Sequence, residues 1–271
     1  MATVVRLRAS SLPSVEIATP LAGESRLTGS RNEVWLTPAQ GADGRQLMLY
    51  VKPKLTPRQL AIEVLAAQAG RAIGMPCPNA YLVRARSPRF SLAPSEVGFA
   101  FGSEREGRGL ATSIRDRDTL FEMIESSKLL VPALVFDEWI ANPVRGPGDV
   151  LFDAENGVTL IDHEAAMDSS VLPTQAVVNW LGDRVVEANP ASRRAEMLGR
   201  ARDFLAVVRD LDLHPAAVLA FNSLPGAAEA YREGLQFLDA RRSELDRLVS
   251  TRLLPEQRYL TDQIRKDGNG A

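Results

Sequence analysis

Cysteine, histidine and lysine are all scarce in this chain of 271 residues, and each shortage removes a class of chemistry. The single cysteine, Cys77, excludes an internal disulfide, and with only two histidines, His163 and His214, no Cys/His set with zinc spacing exists. A reducing, cytoplasmic compartment is the expectation. No run of about 18 apolar residues occurs, so no membrane-spanning helix is expected, and the start from Met1 to Arg8 lacks the apolar stretch of a signal peptide. Excess charge of either sign is missing too: a formal charge of -2 and a pI near 5.9 give no general pull toward nucleic acid or an anionic membrane. Of 32 basic residues only four are lysines, Lys52, Lys54, Lys128 and Lys266, and the arginine excess is what a GC-rich bacterial genome would produce. A lysine inside a strand therefore stands out.

What is present is an ordinary globular composition, 45% hydrophobic and 24% charged, enough for a buried core in one two-lobed domain or two small ones. The first third reads mostly as strands: Thr3 to Arg8, Ser14 to Ala18, Glu33 to Leu36 and Gln46 to Lys52 are short, rich in Val and Leu, and separated by Gly, Pro, Asn and Asp. One helix interrupts them. It opens after Thr56 with Pro57 in the first position, carries Leu60, Ile62, Val64, Leu65 and Ala69, and ends at Gly70 or Gly74. A strand from Ala80 to Arg86 follows. The stretch from Phe90 to Leu110, rich in Gly, Ser and Pro, reads as a connection between lobes.

Beyond it, helical spacing covers Asp118 to Asn142 and stops at Pro143. Two short apolar runs, Asp149 to Phe152 and Val158 to Asp162, flank an Asn156-Gly157 turn and predict a hairpin. From Thr174 to Leu260 nearly everything is expected to be helical, and only Lys266 to Ala271 looks disordered. The sum is an α+β chain with a strand-rich first part, residues 1–105, and a mainly helical second part, residues 106–271, that contains the hairpin segment 142–163.

The hairpin puts Asp149 and Asp162 at the same end of an antiparallel pair. Two carboxylates that converge there suit Mg²⁺, which takes one or two of them together with phosphate oxygens and water. Solvated acids at a hairpin end remain the alternative. Lys52 closes one strand and Glu63 lies on the next helix; an ion pair between them would aim the ammonium at a phosphate, and two surface charges are the plainer reading.

The order of these residues carries a resemblance. Tyr50 to Lys52, then Glu63 to Pro78 with a strand behind it, then Phe136 to Asn142, then Leu160 to His163 is similar to the HipA-like kinase family over nearly the whole chain. The resemblance implies a bilobal protein-kinase-like fold, with a strand-rich N-lobe and a mainly helical C-lobe, that binds ATP and Mg²⁺. It implies that Lys52 and Asp162 form the catalytic pair, that Glu63 holds Lys52, and that Asp149 and Asp162 bind the metal. By the same analogy Phe101, Gly102 and Ser103 lie where a hinge contacts adenine, Gly23, Ser25 and Arg26 lie in a phosphate-covering loop, and Arg145 is available to phosphate or solvent. His163 is expected to be structural.

The chain departs from the family's loop, which reads roughly Asn-x-Asp-Arg-x-x-x-Asn. Val144 stands at the place of the catalytic aspartate and Asp149 at the place of the metal-binding asparagine. A carboxylate serves Mg²⁺ at least as well as an amide oxygen, whereas a valine cannot accept a proton. Three readings follow: a slow or atypical phosphotransferase acting on a protein or small hydroxyl acceptor, a pseudokinase that binds a regulatory partner, or a scaffold for protein interaction in which Asp149 and Asp162 are only structural. Asp137 and Asp153 are the acids that would have to stand in for the missing base.

Overall fold

The computed structural model describes residues 11–27, 33–85, 98–105, 112–113, 115–153, 157–214, 221 and 224–255. The strand expected over Thr3 to Arg8 and the tail from Lys266 lie outside these residues. Six strands form the first sheet: β1 (Glu16–Pro20), β2 (Ser25–Arg26), β3 (Trp35–Gln40), β4 (Gln46–Lys52), β5 (Ala80–Arg84) and β6 (Phe99–Glu104). Their order is β1-β5-β6-β4-β3-β2, and β1 also pairs with β3, so the sheet closes on itself. Leu47, Leu49 and Val51 alternate along β4 and join Ala18, Ala39, Tyr81, Val83 and Ala100 in a small interior core. The other parity of β4 ends in Lys52, which therefore leaves the barrel on its outer side.

Two strand expectations change for identifiable reasons. β3 continues to Gln40 through Pro38, because β2 pairs only with Leu36 and Trp35 and leaves that side of Pro38 outside its ladder. The Gly/Ser/Pro-rich stretch is not merely a connection: Phe99–Glu104 is a central strand, bonded to β4 on one side and β5 on the other. Small residues hid it. A Cβ on Gly102 would stand 2.6 Å from Val83 Cγ2, so glycine is what lets β6 pack there.

Helix α1 (Pro57–Ala72) crosses the outer side of this sheet. Thr56 and Gln59 form a capping box at its start, with Pro57 following the cap. Gly74, at φ +79°, marks its end, whereas Gly70 lies inside it because Cys77 packs against that position. Twelve of its sixteen residues are buried, too many for a surface helix. The sheet covers one side of α1, and helix α6 (Pro225–Leu253) covers the other, with Tyr231 Oη donating to Gln68 Oε1 at 2.7 Å.

The remaining elements are β7 (Thr112–Ser113), α2 (Arg117–Ser126), α3 (Leu130–Trp139), a single 3-10 turn at Pro147–Asp149, β8 (Val150–Asp153), β9 (Gly157–Leu160), α4 (Trp180–Ala188) and α5 (Ala191–Asp210). β8 and β9 form the expected hairpin, joined by β7 in a three-stranded sheet. The helical stretch from Asp118 breaks in two at Lys128, which takes φ +63°. One main core runs from α1 through α3, α5 and α6, with Trp139 fully buried at its centre.

The segment from Thr174 to Asn179 is not helical. Its backbone is instead held by arginines of α6: Arg241 Nη1 donates to the carbonyls of Pro173 (3.0 Å) and Gln175 (2.7 Å), Arg247 Nη2 to Thr174 (2.7 Å), and Arg252 to Val177. Arg241 is fully buried, with Glu138 as its counter-ion at 3.0 Å. Among the described residues, no helix is long and apolar enough to cross a membrane.

Gly70 tests the seam between α1 and the strand behind it. A Cβ there would lie 2.5 Å from Cys77 Sγ and 3.1 Å from Phe136 Cζ. Gly70→Val is expected to lower the unfolding free energy by about 1–3 kcal/mol through overpacking, measured by urea denaturation.

Candidate active site

Strand β4 delivers Lys52, α1 delivers Glu63 from its second turn, and the end of β9 delivers Asp162 and Glu164. The four side chains meet. Lys52 Nζ lies 2.5 Å from Glu63 Oε1, 2.7 Å from Asp162 Oδ1 and 3.3 Å from Glu164 Oε2. The second oxygen of Glu63 accepts the backbone N–H of His163 at 2.9 Å. One buried carboxylate thus ties the end of β4 to the chain beside Asp162.

Burial alone would raise the Glu63 carboxyl, but the Lys52 ammonium and the hydrogen bonds it receives hold it down to about 2. Burial likewise opposes the charge on Lys52, and the Glu63 and Asp162 carboxylates more than offset this, holding its pKa above the ordinary lysine range. Burial lowers the pKa of His163, and its ring stacks edge-on against Phe136. Cys77 is a buried thiol that burial pushes up to about 12, which leaves it unreactive.

Asp162 has φ +60°, a conformation that non-glycine residues rarely adopt. The chain is pinned on both sides of it. Ile161 N–H donates to the Asp149 carbonyl at 2.9 Å, and His163 N–H to Glu63. Asp149 sits at the other strand end of the hairpin, with Oδ2 accepting from Gly146 N–H at 2.8 Å. Burial pushes its carboxyl up to about 6; Arg145 and the Gly146 N–H pull it down, and the charge of Asp162 pushes it further up. The two aspartates are close enough to repel, as the hairpin register requires.

Arg145 departs from expectation. It is neither solvated nor turned toward a phosphate: it is buried, its Nε and Nη2 engage Asp137 at 2.8–3.2 Å, and its Nη1 donates to the carbonyls of Asp149 (3.1 Å) and Ile161 (2.8 Å). Its role is to join α3 to both strand ends that carry the aspartates. The same pair disposes of Asp137 as a substitute base, since that carboxylate is buried and bound to Arg145. Asp153 is buried at the opposite end of β8. Val144 itself points outward, 51% exposed, between the buried Asn142 and Arg145.

Phe101 is level with Lys52 in the β6–β4 ladder, with its side chain in the main core. Gly102 is buried inside the barrel and Ser103 pairs with Tyr50 and Ala80, so all three are strand residues; residues 106–110 of the expected lobe connection lie outside those described. Ser25 and Arg26 form β2 and are exposed, with Gly23 in a turn before them at φ +104°. The remainder of that loop, residues 28–32, is outside the described set. Glu164 is the site residue that sequence reasoning missed. Its signal was available: an acid two residues after Asp162, in a stretch already marked by an acid at a strand end.

The family model of the HipA-like kinases matches residues 33–191, more than half of the chain, and the chain belongs to that family. Its fold is bilobal and kinase-like. The crystal structure of a Helicobacter pylori proinflammatory kinase, CtkA, superposes with a TM-score of 0.53 over 90% of this chain and 99% of that one, at 11% identity, which is a likeness of fold. No curated protein sequence matches the chain.

Two predictions follow from the charges. Arg145→Met strands the buried Asp137 carboxylate and is expected to cost about 3–5 kcal/mol of stability, read by denaturant unfolding. Because Asp149 binds its proton more tightly folded than unfolded, its contribution to stability is present below pH 3.8 and is lost as pH rises toward about 6. Asp149→Asn is therefore expected to raise the melting temperature at about pH 7 in metal-free buffer, with the gain vanishing near pH 4.

Proposed function

We propose that this HipA-like kinase binds ATP with Mg²⁺ in the cleft beside Lys52 and transfers a phosphoryl group slowly to a hydroxyl acceptor on a protein or small molecule. The convergence of Lys52, Glu63 and Asp162 carries this reading. A lysine ammonium fixed by a buried glutamate is a positioned counter-charge for a phosphate chain. The donor chemistry suits the cation as well. Asp162 uses Oδ1 for Lys52 and Asp149 uses Oδ2 for Gly146, so each has a second hard oxygen to offer. Asp149 and Asp162 would hold the magnesium ion, which would supply positive charge against the phosphates.

The protein's own residues do the rest. Glu63 keeps Lys52 from folding away, Arg145 keeps the two aspartates in register, and Asp162, at positive φ, sets its carboxylate against Lys52. No described acid occupies the place of a base at Val144. Loss of one positioned base lowers rates by about 10²- to 10⁴-fold, and phosphoryl transfer, which depends mainly on positioning and metal charge, tolerates such a loss.

Val144 also favours a second reading, in which the protein binds nucleotide without turnover and acts as a regulatory module for a partner protein. Thermal-shift titration with MgATP tests the shared premise: the wild type is expected to gain stability at millimolar ATP and Asp162→Ala to show no gain. Turnover of labelled ATP then divides the two. Slow transfer by the wild type that rises at least about 10²-fold in Val144→Asp supports the kinase, and no transfer by either supports the module. Brisk turnover by the wild type would contradict the account of the missing base.

A further inference from the structure

We infer that the imidazole of His163 is a positioning residue for Glu63: it presents Nδ1–H to the carboxylate oxygen that faces away from Lys52 and so fixes the oxygen that faces the ammonium. The inference rests on the reading of Lys52 as a phosphate anchor.

Glu63 uses its two oxygens differently. Oε1 lies 2.5 Å from Lys52 Nζ, and Oε2 accepts the backbone N–H of His163 at 2.9 Å. A carboxylate oxygen offers more than one lone pair, so a single N–H leaves Oε2 unsaturated and leaves the group able to pivot about that bond. The His163 ring faces the lone pair that remains. Its Nδ1 lies 3.6 Å from the same Oε2, with both side chains almost fully buried. That separation is longer than a hydrogen bond, so the contact is one of a dipole against a charge, strengthened by the low dielectric of the interior.

The proton on the ring is fixed by elimination. Nε2 is buried and has no hydrogen-bond partner among the described residues. A proton on Nε2 would bury an unsatisfied N–H, and in a ring with one proton it would also turn the bare Nδ1 toward a carboxylate. A proton on Nδ1 alone avoids both penalties. The ring is held at this angle by Phe136, which meets it edge-on with centroids 5.7 Å apart and an interplanar angle of 75°. Packing does not by itself account for a histidine here. Leucine or phenylalanine would fill the space beside Phe136 without burying an orphan nitrogen; what the imidazole adds is a donor for Glu63. His163 therefore acts on the ammonium through Glu63, by stopping the carboxylate from turning.

Two measurements test this role. Long-range ¹H–¹⁵N spectra of the histidine rings, of which the chain has two, are expected to show His163 protonated at Nδ1 and bare at Nε2, with the Nδ1 signal shifted in Glu63→Gln. A proton on Nε2, or an Nδ1 signal indifferent to Glu63→Gln, overturns the inference. Titration with MgATP by calorimetry then compares substitutions that place an amide N–H differently: asparagine reaches the place of Nδ1, glutamine that of Nε2, and leucine offers none. His163→Leu and His163→Gln are expected to bind about tenfold more weakly than the wild type, and His163→Asn to recover most of that loss. Equal weakening by all three, or by none, overturns the positioning role, since a ring that only fills space is not replaced better by asparagine than by the larger glutamine. Melting curves establish that each variant is folded, and the comparison of asparagine with glutamine stands without the leucine variant. Failure of the wild type to bind MgATP would remove the nucleotide reading while leaving the contact with Glu63 to the ring spectra, which use no ligand.

Discussion

The arrangement depends on one buried carboxylate. Glu63 accepts from Lys52 with one oxygen and from the His163 backbone with the other, so three distant parts of the chain are tied through a single side chain. Such a group is costly to bury and tolerable only when both oxygens are satisfied. The geometry of the cluster is therefore not a property of Lys52 or Asp162 alone; each is held where it is by the same neighbour. The burial of α1 between the sheet and α6 makes this arrangement permanent, because Glu63 has no room to swing outward without breaking the main core.

A second constraint comes from buried arginines. Arg145 secures the two aspartate-bearing strand ends, and Arg241, with Glu138, secures the segment that follows them. In both cases a guanidinium fork donates to backbone carbonyls outside the helices and strands. Irregular chain is held in place by this means. Where a kinase-like site needs exact placement of two carboxylates, this chain obtains it from ion pairs set behind the site rather than from residues within it.

Against that rigid frame, the change at Val144 is local. Asn142 remains buried and its amide still bonds to Asp137, so the loop has not collapsed around the lost acid. Lys52, Glu63 and Asp162 converge, while the loop at Val144 carries no carboxylate. Neither Asp137 nor Asp153 relieves the deficit, for both are buried elsewhere. The chemistry proposed for the protein follows from this imbalance.

Much of the site was legible in the residues themselves. Lys52 at a strand end, Glu63 on the following helix and two aspartates bracketing a hairpin are local patterns, and local patterns survive in sequence because strand parity, helix caps and turn residues are decided by near neighbours. The central strand β6, the fate of Arg145 and the reach of Glu164 were not legible. Each depends on partners far along the chain: β6 on strands β4 and β5, Arg145 on α3, and Glu164 on a lysine 112 residues away. Sequence alone determined which charges this protein carries and which element bears each of them. Only the tertiary structure decided which of those charges neutralise one another, because pairing energy is set by distance and burial, and neither is written in residue order.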